Sequence, residues 1–374
     1  MQVQEKRVPK TRTNFVLKDC SAILLLSCIM MGCGAGPIVA STPDPPVETV
    51  TITDRQVIEA DGSYNAFASV ERAANGDLVV AYKKGTGHVN APLVILRRSS
   101  DGGASWSPEV AYFNTSVPDP TLAIMPNGRL LIEFAKQDPN GTYGSAYSLS
   151  SDNGLTWGAF TFFDSPVSDT FAFTSLFVTK ESTLYGASYG PHDSMSSDPA
   201  LWISADSGAS WQKLSTIRQP GEDGANETSI ALVGPSRFLA MSRDDLNLKT
   251  LGHFSDDLGQ TWGPEIDYTS QVGVLQLPEL LRTQKALLLF GRQYDANTKP
   301  THEMVVFASY DGGVTFTDRT VLDTYTGFVI DGGYGWPLLQ DDGSIFLVYY
   351  ADSNNLRKPD IKSLVLHWGK SHTN

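Results

Sequence analysis

The chain has 374 residues, of which 41% are hydrophobic and 18% are charged. This hydrophobic share is sufficient to bury a large core, which excludes a wholly disordered chain. The formal charge of −13 argues against a nucleic-acid-binding protein, because phosphate binding requires a net basic face. The length fits two or three ordinary domains, or a single all-β barrel or propeller.

The first 32 residues have the order of segments found in a secretory signal. A stretch with five lysines and arginines precedes an apolar run at residues 22–31, and small residues follow. The run is too short to span a membrane comfortably. We therefore expect residues 1–32 to be a signal peptide. Its removal takes away five basic and two acidic residues and leaves the exported chain at −16.

Cys33 directly follows Gly32, and this segment resembles the lipobox of bacterial lipoproteins. The resemblance implies that Cys33 is lipidated and anchors the exported chain to the cell envelope. An ordinary cleaved signal, with a secreted or periplasmic product, is the alternative. We expect residues 33–46 to form a tether and residues 47–374 to form the folded domain. All three cysteines lie within the first 33 residues, so we expect this domain to be stabilised by packing alone.

Five segments share the pattern Ser-x-Asp-x-Gly-x-Ser/Thr-aromatic. They lie at residues 99–106, 150–157, 204–211, 255–262 and 309–316. Their aspartates are 51, 54, 51 and 54 residues apart, a period typical of propellers and repeat arrays. The pattern fits a β-hairpin turn, in which Asp accepts backbone N–H groups and Gly adopts a positive φ. We therefore predict a structural role for these aspartates.

A second motif, a turn between two apolar strands, precedes each of these segments and occurs six times. Its copies lie at residues 75–80, 127–132, 182–185, 235–239, 284–288 and 342–347. Six copies predict an all-β, six-bladed propeller with four antiparallel strands in each blade. A strand at residues 47–58 supplies the outer strand that the last blade lacks, and this closure limits exposed sheet edges. The five aspartate segments resemble the Asp-box, or BNR repeat, of sialidase-like β-propellers.

One end of this propeller is predicted to hold the ligand site. The Asp-box turns occupy one end, so irregular loops and a site are expected at the other. Counting eight residues on from each first turn reaches this end, and four of the six positions are cationic. They are Lys84, Lys136, Arg243 and Arg292. We expect a cationic pocket that binds an anionic ligand such as a carboxylate, with Asp119 as a further substrate-binding residue.

Three further features resemble bacterial exo-sialidases. The segment around Glu227, followed by Arg243, is similar to their Glu-then-Arg segment, and Arg292 ends a strand where they place another arginine. The segment around Tyr334 resembles the one that carries their nucleophilic tyrosine. The resemblance implies that Tyr334 attacks the anomeric carbon, Glu227 activates it, and the arginines bind a substrate carboxylate. Sialidases are an exception to the two-carboxylate pattern of glycosidases.

Two features of that family are missing from the sequence. Its first arginine belongs in a strand that here contains Ala66–Ser69, and its acid/base aspartate does not follow. We expect Lys84 to replace the lost positive charge. His88 is the candidate for the lost proton donor, because its ordinary pKa suits neutral pH. His192 is a second candidate at the same end, as a substrate-binding residue.

Together these residues predict an exo-glycosidase acting on a terminal acidic sugar, either a sialic acid or a uronic acid. One alternative is a lyase that uses a His/Tyr pair on a uronate polysaccharide, and another is a non-catalytic carbohydrate-binding propeller. Tyr334 would then stack on a sugar, and Glu227 would only pair with Arg243. We expect a monomer whose partner is carbohydrate, with membrane contact only through a lipid anchor. No obligatory cofactor is expected, and a structural calcium ion is left open.

Overall fold

Within the described residues, 24 strands form six antiparallel sheets of four strands each. The computed structural model describes residues 49–114, 119–163, 174–178, 183–190, 198–219, 225–294, 301–326, 331–352 and 357–369. The expected signal peptide, tether and lipidated Cys33 lie outside these residues, as does His192. In the described part of the chain, no helix is long and apolar enough to cross a membrane.

The first strand and the first three blades follow one another along the chain. The first strand is β1 (Thr49–Glu59). Blade 1 contains β2 (Tyr64–Arg72), β3 (Leu78–Gly85), β4 (Leu93–Ser99) and β5 (Val110–Asn114). Blade 2 contains β6 (Thr121–Ile124), β7 (Leu130–Gln137), β8 (Tyr143–Ser150) and β9 (Thr161–Phe162). Blade 3 contains β10 (Ser175–Val178), β11 (Leu184–Ser188), β12 (Ala200–Ser204) and β13 (Gln212–Thr216).

The remaining blades repeat this order, with one short helix between blades 4 and 5. Blade 4 contains β14 (Ala225–Leu232), β15 (Phe238–Asp244), β16 (Lys249–Ser255) and β17 (Ile266–Asp267). The helix is α1 (Thr269–Val272). Blade 5 contains β18 (Val274–Arg282), β19 (Leu287–Tyr294), β20 (Thr301–Ser309) and β21 (Thr317–Thr326). Blade 6 contains β22 (Gly335–Leu339), β23 (Ile345–Ala351) and β24 (Asp360–Gly369).

The N-terminal strand β1 is the outer strand of blade 6. It pairs antiparallel with β24, from Thr49 opposite Gly369 to Glu59 opposite Ile361. Without β1, β24 would present a row of unpaired backbone groups to solvent. The prediction of a six-bladed, all-β propeller closed by its N-terminal strand is therefore confirmed.

The strands inside each blade are apolar because neighbouring blades cover both of their faces. Strand β23 is buried along its whole length. Leu288 and Phe290 of blade 5, for example, pack with Leu347 of blade 6 in one hydrophobic cluster. Such continuous apolar runs are typical of strands that are covered on both faces, whereas half-exposed strands alternate.

The Asp-boxes form hydrogen-bonded turns. In the fourth box, Ser255 Oγ donates to Asp257 Oδ1 (2.8 Å), and Thr261 donates to Asp257 through its backbone N (2.9 Å) and Oγ1 (2.6 Å). These bonds from Thr261 hold the pKa of Asp257 down to about 2. The same bonds form in the other boxes, at Asp101, Asp152, Asp206 and Asp311. The aspartates are thus occupied in holding the turns.

A substitution at Gly259, in the fourth Asp-box, would test how tightly this turn packs against the neighbouring blade. Its φ is +81°, and a Cβ there would lie 2.1 Å from Leu201 Cδ2 in blade 3. Gly102, in the first box, has a similar φ of +74° but no atom within 4 Å of such a Cβ. Gly102→Ala is therefore expected to cost only the left-handed backbone penalty, about 1 kcal/mol. Gly259→Ala adds overpacking, roughly another 1–3 kcal/mol.

Urea unfolding of both variants measures these two costs. Equal losses of unfolding free energy in Gly102→Ala and Gly259→Ala would show that the turn does not pack against blade 3 as described.

Candidate active site

Bulges in three innermost strands turn side chains into one cavity. The pairing register shifts between Ala66 and Ser69 in β2, and in the same way in β14 and β18. The extruded residues include Phe67, Glu227 and Leu277, which all line the cavity. Phe67 and Leu277 have positive φ values of 52° and 45°, which are uncommon outside glycine. Bulges of this kind often re-aim side chains at functional sites.

Every blade contributes to this cavity from the start of its innermost strand, opposite the Asp-box turns. The lining residues are Phe67, Ala68, Asp119, Pro120, Thr121, Thr174, Tyr189, Glu227, Leu277, Tyr334 and Trp336. The empty space, including the open mouth, is about 440 Å³. Two carboxylates and four aromatic side chains therefore face a space of the size that small ligands occupy.

Tyr334, Glu227 and Arg243 form a closed triangle at the cavity wall. The Tyr334 hydroxyl donates to Glu227 Oε1 (2.9 Å) and accepts from Arg243 Nη1 (2.8 Å). Arg243 Nη1 also lies 2.9 Å from Glu227 Oε2. Asn226 Oδ1 accepts from Arg243 Nε (2.9 Å), and Asp245 pairs with Nη2 (3.1 Å). The guanidinium is thus fixed on several sides and holds the phenol and the carboxylate in one geometry.

Burial sets the proton affinities of this triangle. It raises the pKa of Glu227, and the charge of Arg243 offsets this only in part. Burial also raises the pKa of Tyr334 well above its usual value, again against the influence of Arg243. A carboxylate with a raised pKa accepts a proton more readily, so Glu227 is suited to take the proton of the Tyr334 hydroxyl.

Arg292 packs against the Tyr334 ring from the neighbouring blade. Its guanidinium carbon lies 5.6 Å from the ring centre, and Nη1 donates to the carbonyl of Gly332 (2.9 Å). Gly333 has a φ of +71°, and a Cβ there would lie only 2.6 Å from the Tyr325 hydroxyl and 3.1 Å from Arg292 Cβ. Glycine at this position therefore allows the loop that carries Tyr334 to lie close to Arg292.

A second polar cluster lies around Asp331, at the start of the same loop. Its carboxylate accepts from the hydroxyls of Tyr64 (2.5 Å) and Tyr350 (2.7 Å), and His88 Nδ1 lies 3.0 Å away. Burial acts to raise the pKa of Asp331, but the hydrogen bonds from His88 and the tyrosines lower it to about 2. Asp331 is therefore an ionised carboxylate shared by blades 1 and 6.

Lys83, rather than Lys84, is the cation nearest to the cavity in blade 1. Lys83 is buried, and its Nζ lies 2.8 Å from Asp119 Oδ1 and 3.8 Å from the centre of the Phe67 ring. Lys84 Nζ pairs instead with Asp61 (2.6 Å) and Glu109 (2.5 Å). The prediction that placed Lys84 in the pocket is wrong, because neighbouring residues of a strand point to opposite faces.

We predicted that four cations converge in the pocket, and this is also wrong for Lys136. Its Nζ lies 6.0 Å from the Phe160 ring centre, between blades 1 and 2. The structure does bring Arg243 and Arg292 together beside Tyr334. Both arginines and Lys83 lie behind the cavity wall, and the lining residues themselves include no lysine or arginine. The wall is therefore less cationic than the sequence predicted.

Sequence reasoning missed three residues of this region: Lys83, Phe67 and Asp331 as the partner of His88. The Lys-Lys pair was a signal for Lys83, but alternation along β3 places one lysine on each face, and the sequence does not show which face meets blade 2. Within the described residues, no group of three or more His, Cys, Asp or Glu side chains is arranged to hold a metal ion.

The fold and this site define a sialidase-like β-propeller. The family model of the BNR repeat-like domain matches residues 76–346, and the chain belongs to this family. A search of curated proteins finds no match.

Solved structures show the same fold at low identity. A protein of unknown function from Dyadobacter fermentans has a TM-score of 0.68 and 19% identity, with 85% of this chain and 99% of that chain covered. The Hadza microbial sialidase Hz136 has a TM-score of 0.63 and 17% identity, with 85% and 68% covered. A mutant of the NanB sialidase of Streptococcus pneumoniae has a TM-score of 0.61 and 11% identity, with 83% and 70% covered.

Asp331 is expected to contribute to stability in a pH-dependent way. Its lowered pKa means that it stabilises the fold above the pKa of an unfolded aspartate, and that this contribution is lost as the pH falls towards 2. Asp331→Asn is therefore expected to lose about 2 kcal/mol of unfolding free energy near neutral pH. The difference from the wild type should shrink below about pH 4.

Urea unfolding across this pH range measures the effect, with Asp256→Asn as the control because Asp256 is 80% exposed. A difference between Asp331→Asn and wild type that stays constant with pH would contradict an ionised, hydrogen-bonded Asp331.

Proposed function

We propose that this protein is an exo-acting glycoside hydrolase of sialidase type that removes a terminal acidic sugar, a sialic acid or a uronic acid. The observation that carries the proposal is the Tyr334 hydroxyl, which donates to Glu227 and accepts from Arg243 at the wall of the cavity. These contacts provide an acceptor for the phenolic proton and a cation for the phenolate that remains.

The proposed reaction begins with attack of the Tyr334 oxygen on the anomeric carbon, while the phenolic proton passes to Glu227 and the bond from that carbon to the leaving oxygen breaks. The leaving oxygen departs with a proton, for which His88 is the predicted donor. Arg243 stabilises the negative charge that develops on the phenol, and Arg292 faces the same ring. Water then releases the sugar from the tyrosine, and Glu227 returns the proton. A neutral tyrosine approaches an anionic sugar without the repulsion that a carboxylate nucleophile would meet.

The cations around the site support an acidic sugar. Arg243, Arg292 and Lys83 are buried or nearly so, and buried charges are costly unless they are paired. Glu227 and Asp119 pair with two of them. Arg292 is not paired with a carboxylate among the described residues, so its positive charge beside Tyr334 favours an anion in the cavity. Export through the N-terminal signal, lipid anchoring at Cys33, action as a monomer and the lack of an obligatory cofactor belong to the same proposal.

A lyase is the second candidate, and the cluster of His88, Tyr64 and Asp331 favours it. The His88 Nδ1 and the Tyr64 hydroxyl are 3.0 Å apart, so a histidine and a tyrosine are available as an acid/base pair. In a lyase this pair would remove the proton α to a uronate carboxylate, and the product would contain a new double bond.

Product analysis of the purified protein distinguishes these functions. We expect free sugar to be released from sialosides or from uronate-terminated glycans, without the ultraviolet absorbance of an unsaturated uronate. Tyr334→Phe should lower turnover roughly 1,000-fold or more, because it removes the nucleophile. Tyr112→Phe is the matched control, since its hydroxyl only donates to the Leu155 carbonyl away from the cavity.

Undiminished turnover in Tyr334→Phe would overturn the proposed nucleophile. New absorbance on a uronate polysaccharide without release of a terminal sugar would establish the lyase instead. Binding of the glycan without either product would leave a non-catalytic carbohydrate-binding propeller.

A further inference from the structure

The carboxylate of Asp331 fixes the ring of His88 at the edge of the site. Three elements meet on it: Tyr64 from β2, Tyr350 from β23, and His88 from the loop between β3 and β4. An ionised carboxylate can only accept hydrogen bonds, so the proton of His88 that faces it must be on Nδ1. The other ring nitrogen, Nε2, is then the atom that can exchange a proton with a ligand.

The exposure of His88 is consistent with such an exchange. Its side chain is 55% exposed, whereas the side chain of Asp331 is 17% exposed. Nε2 has no hydrogen-bond partner among the described residues. The other groups around the ring are Tyr64, the Phe67 ring and the backbone of its own loop, where Lys358 Nζ binds the Thr86 carbonyl. Asp331 is thus the carboxylate that binds this imidazole.

The Phe67 ring connects His88 with the proposed nucleophile. Its centre lies 5.4 Å from the His88 ring centre and 5.2 Å from that of Tyr334, with edge-to-face contact on both sides. Phe67 also lines the cavity. His88 is thus separated from Tyr334 by one aromatic ring, and that ring is part of the cavity wall.

Asp119, the other carboxylate in the cavity wall besides Glu227, is less suited to donate a proton. Its Oδ1 lies 2.8 Å from Nζ of the buried Lys83. Removing its charge would leave that ammonium group buried without a partner, which is strongly unfavourable. Its place in the wall fits contact with the sugar rather than proton transfer to the leaving group.

The geometry points to His88 as the proton donor and acceptor of this site, and to Asp331 as the residue that positions it. This inference rests on the proposed function and names the residues that replace the missing acid/base aspartate. In the first step, the bond between the anomeric carbon and the leaving oxygen breaks, and that oxygen takes the proton from His88 Nε2. In the second step, Nε2 takes a proton from water, and the water oxygen replaces Tyr334 at the anomeric carbon.

Leaving-group dependence tests this assignment. The substrates are the nitrophenyl and methyl glycosides of sialic acid and of glucuronic acid. A nitrophenolate departs without a proton, whereas a methoxide requires one. We expect His88→Ala to lose roughly 100-fold or more in kcat/KM on the methyl glycoside and about 10-fold or less on the nitrophenyl glycoside. Asp331→Asn should show the same selective loss, because it acts through His88.

Two controls separate this inference from the proposed function. Tyr334→Phe should lose activity on both glycosides alike. His367→Ala should retain activity on both, because this histidine lies on β24 and contacts Thr53 of β1. A wild-type protein that cleaves neither glycoside would overturn the proposed function and this step with it. Normal hydrolysis by the wild type, with losses in His88→Ala that are equal on both glycosides or absent, would overturn the inference alone.

Proton NMR provides a readout that is independent of activity. The wild type and Tyr334→Phe should show a downfield His88 Nδ1–H resonance, and Asp331→Asn and His88→Ala should lack it. A resonance that persists in Asp331→Asn would show that Asp331 does not position the imidazole, even if the activity of that variant falls.

Discussion

The structure depends on how the innermost strands of the ring satisfy their free edges. Each of these strands has a neighbour within its blade on one side only, so backbone N–H groups near the axis need other partners. Side chains of the adjacent blade supply them. Ser69 Oγ accepts from Leu122 N (3.1 Å), and Ser229 Oγ accepts from Leu280 N (2.9 Å). Glu227 Oε2 makes the same kind of contact with Leu277 N (3.1 Å), so the ring and the site share this carboxylate.

This shared role explains why so many charges can be buried at the centre of the propeller. Glu227 is held by a backbone N–H, a phenol and a guanidinium, which together compensate for the loss of water. The bulges that place these groups leave Phe67 and Leu277 in backbone conformations that cost energy. Strained backbone and buried charge thus occur together at this end of the ring.

The sequence predicted the ring because its repeats are local: each turn and each apolar strand is encoded within a few residues. It also identified Tyr334, Glu227, Arg243 and Arg292, which the structure places together. It did not predict that Lys83 rather than Lys84 contacts Asp119 and Phe67, since the two lysines lie on opposite faces of β3 and the sequence does not show which face meets blade 2. The pairing of His88 with Asp331 joins positions 243 residues apart and depends on how blades 1 and 6 meet.

The closing strand β1 places the junction between the first and last blades next to the site. The chain passes from β1, in blade 6, directly into β2, in blade 1, and Tyr64 at the start of β2 reaches across to Asp331. The histidine cluster therefore straddles the junction where the ring closes, whereas Glu227 and Arg243 lie together within blade 4. A brief local opening at this junction would separate His88 from Asp331 while blade 4 stays intact. If the proposed function holds, activity would therefore depend on the closed junction and would be lost before blade 4 unfolds.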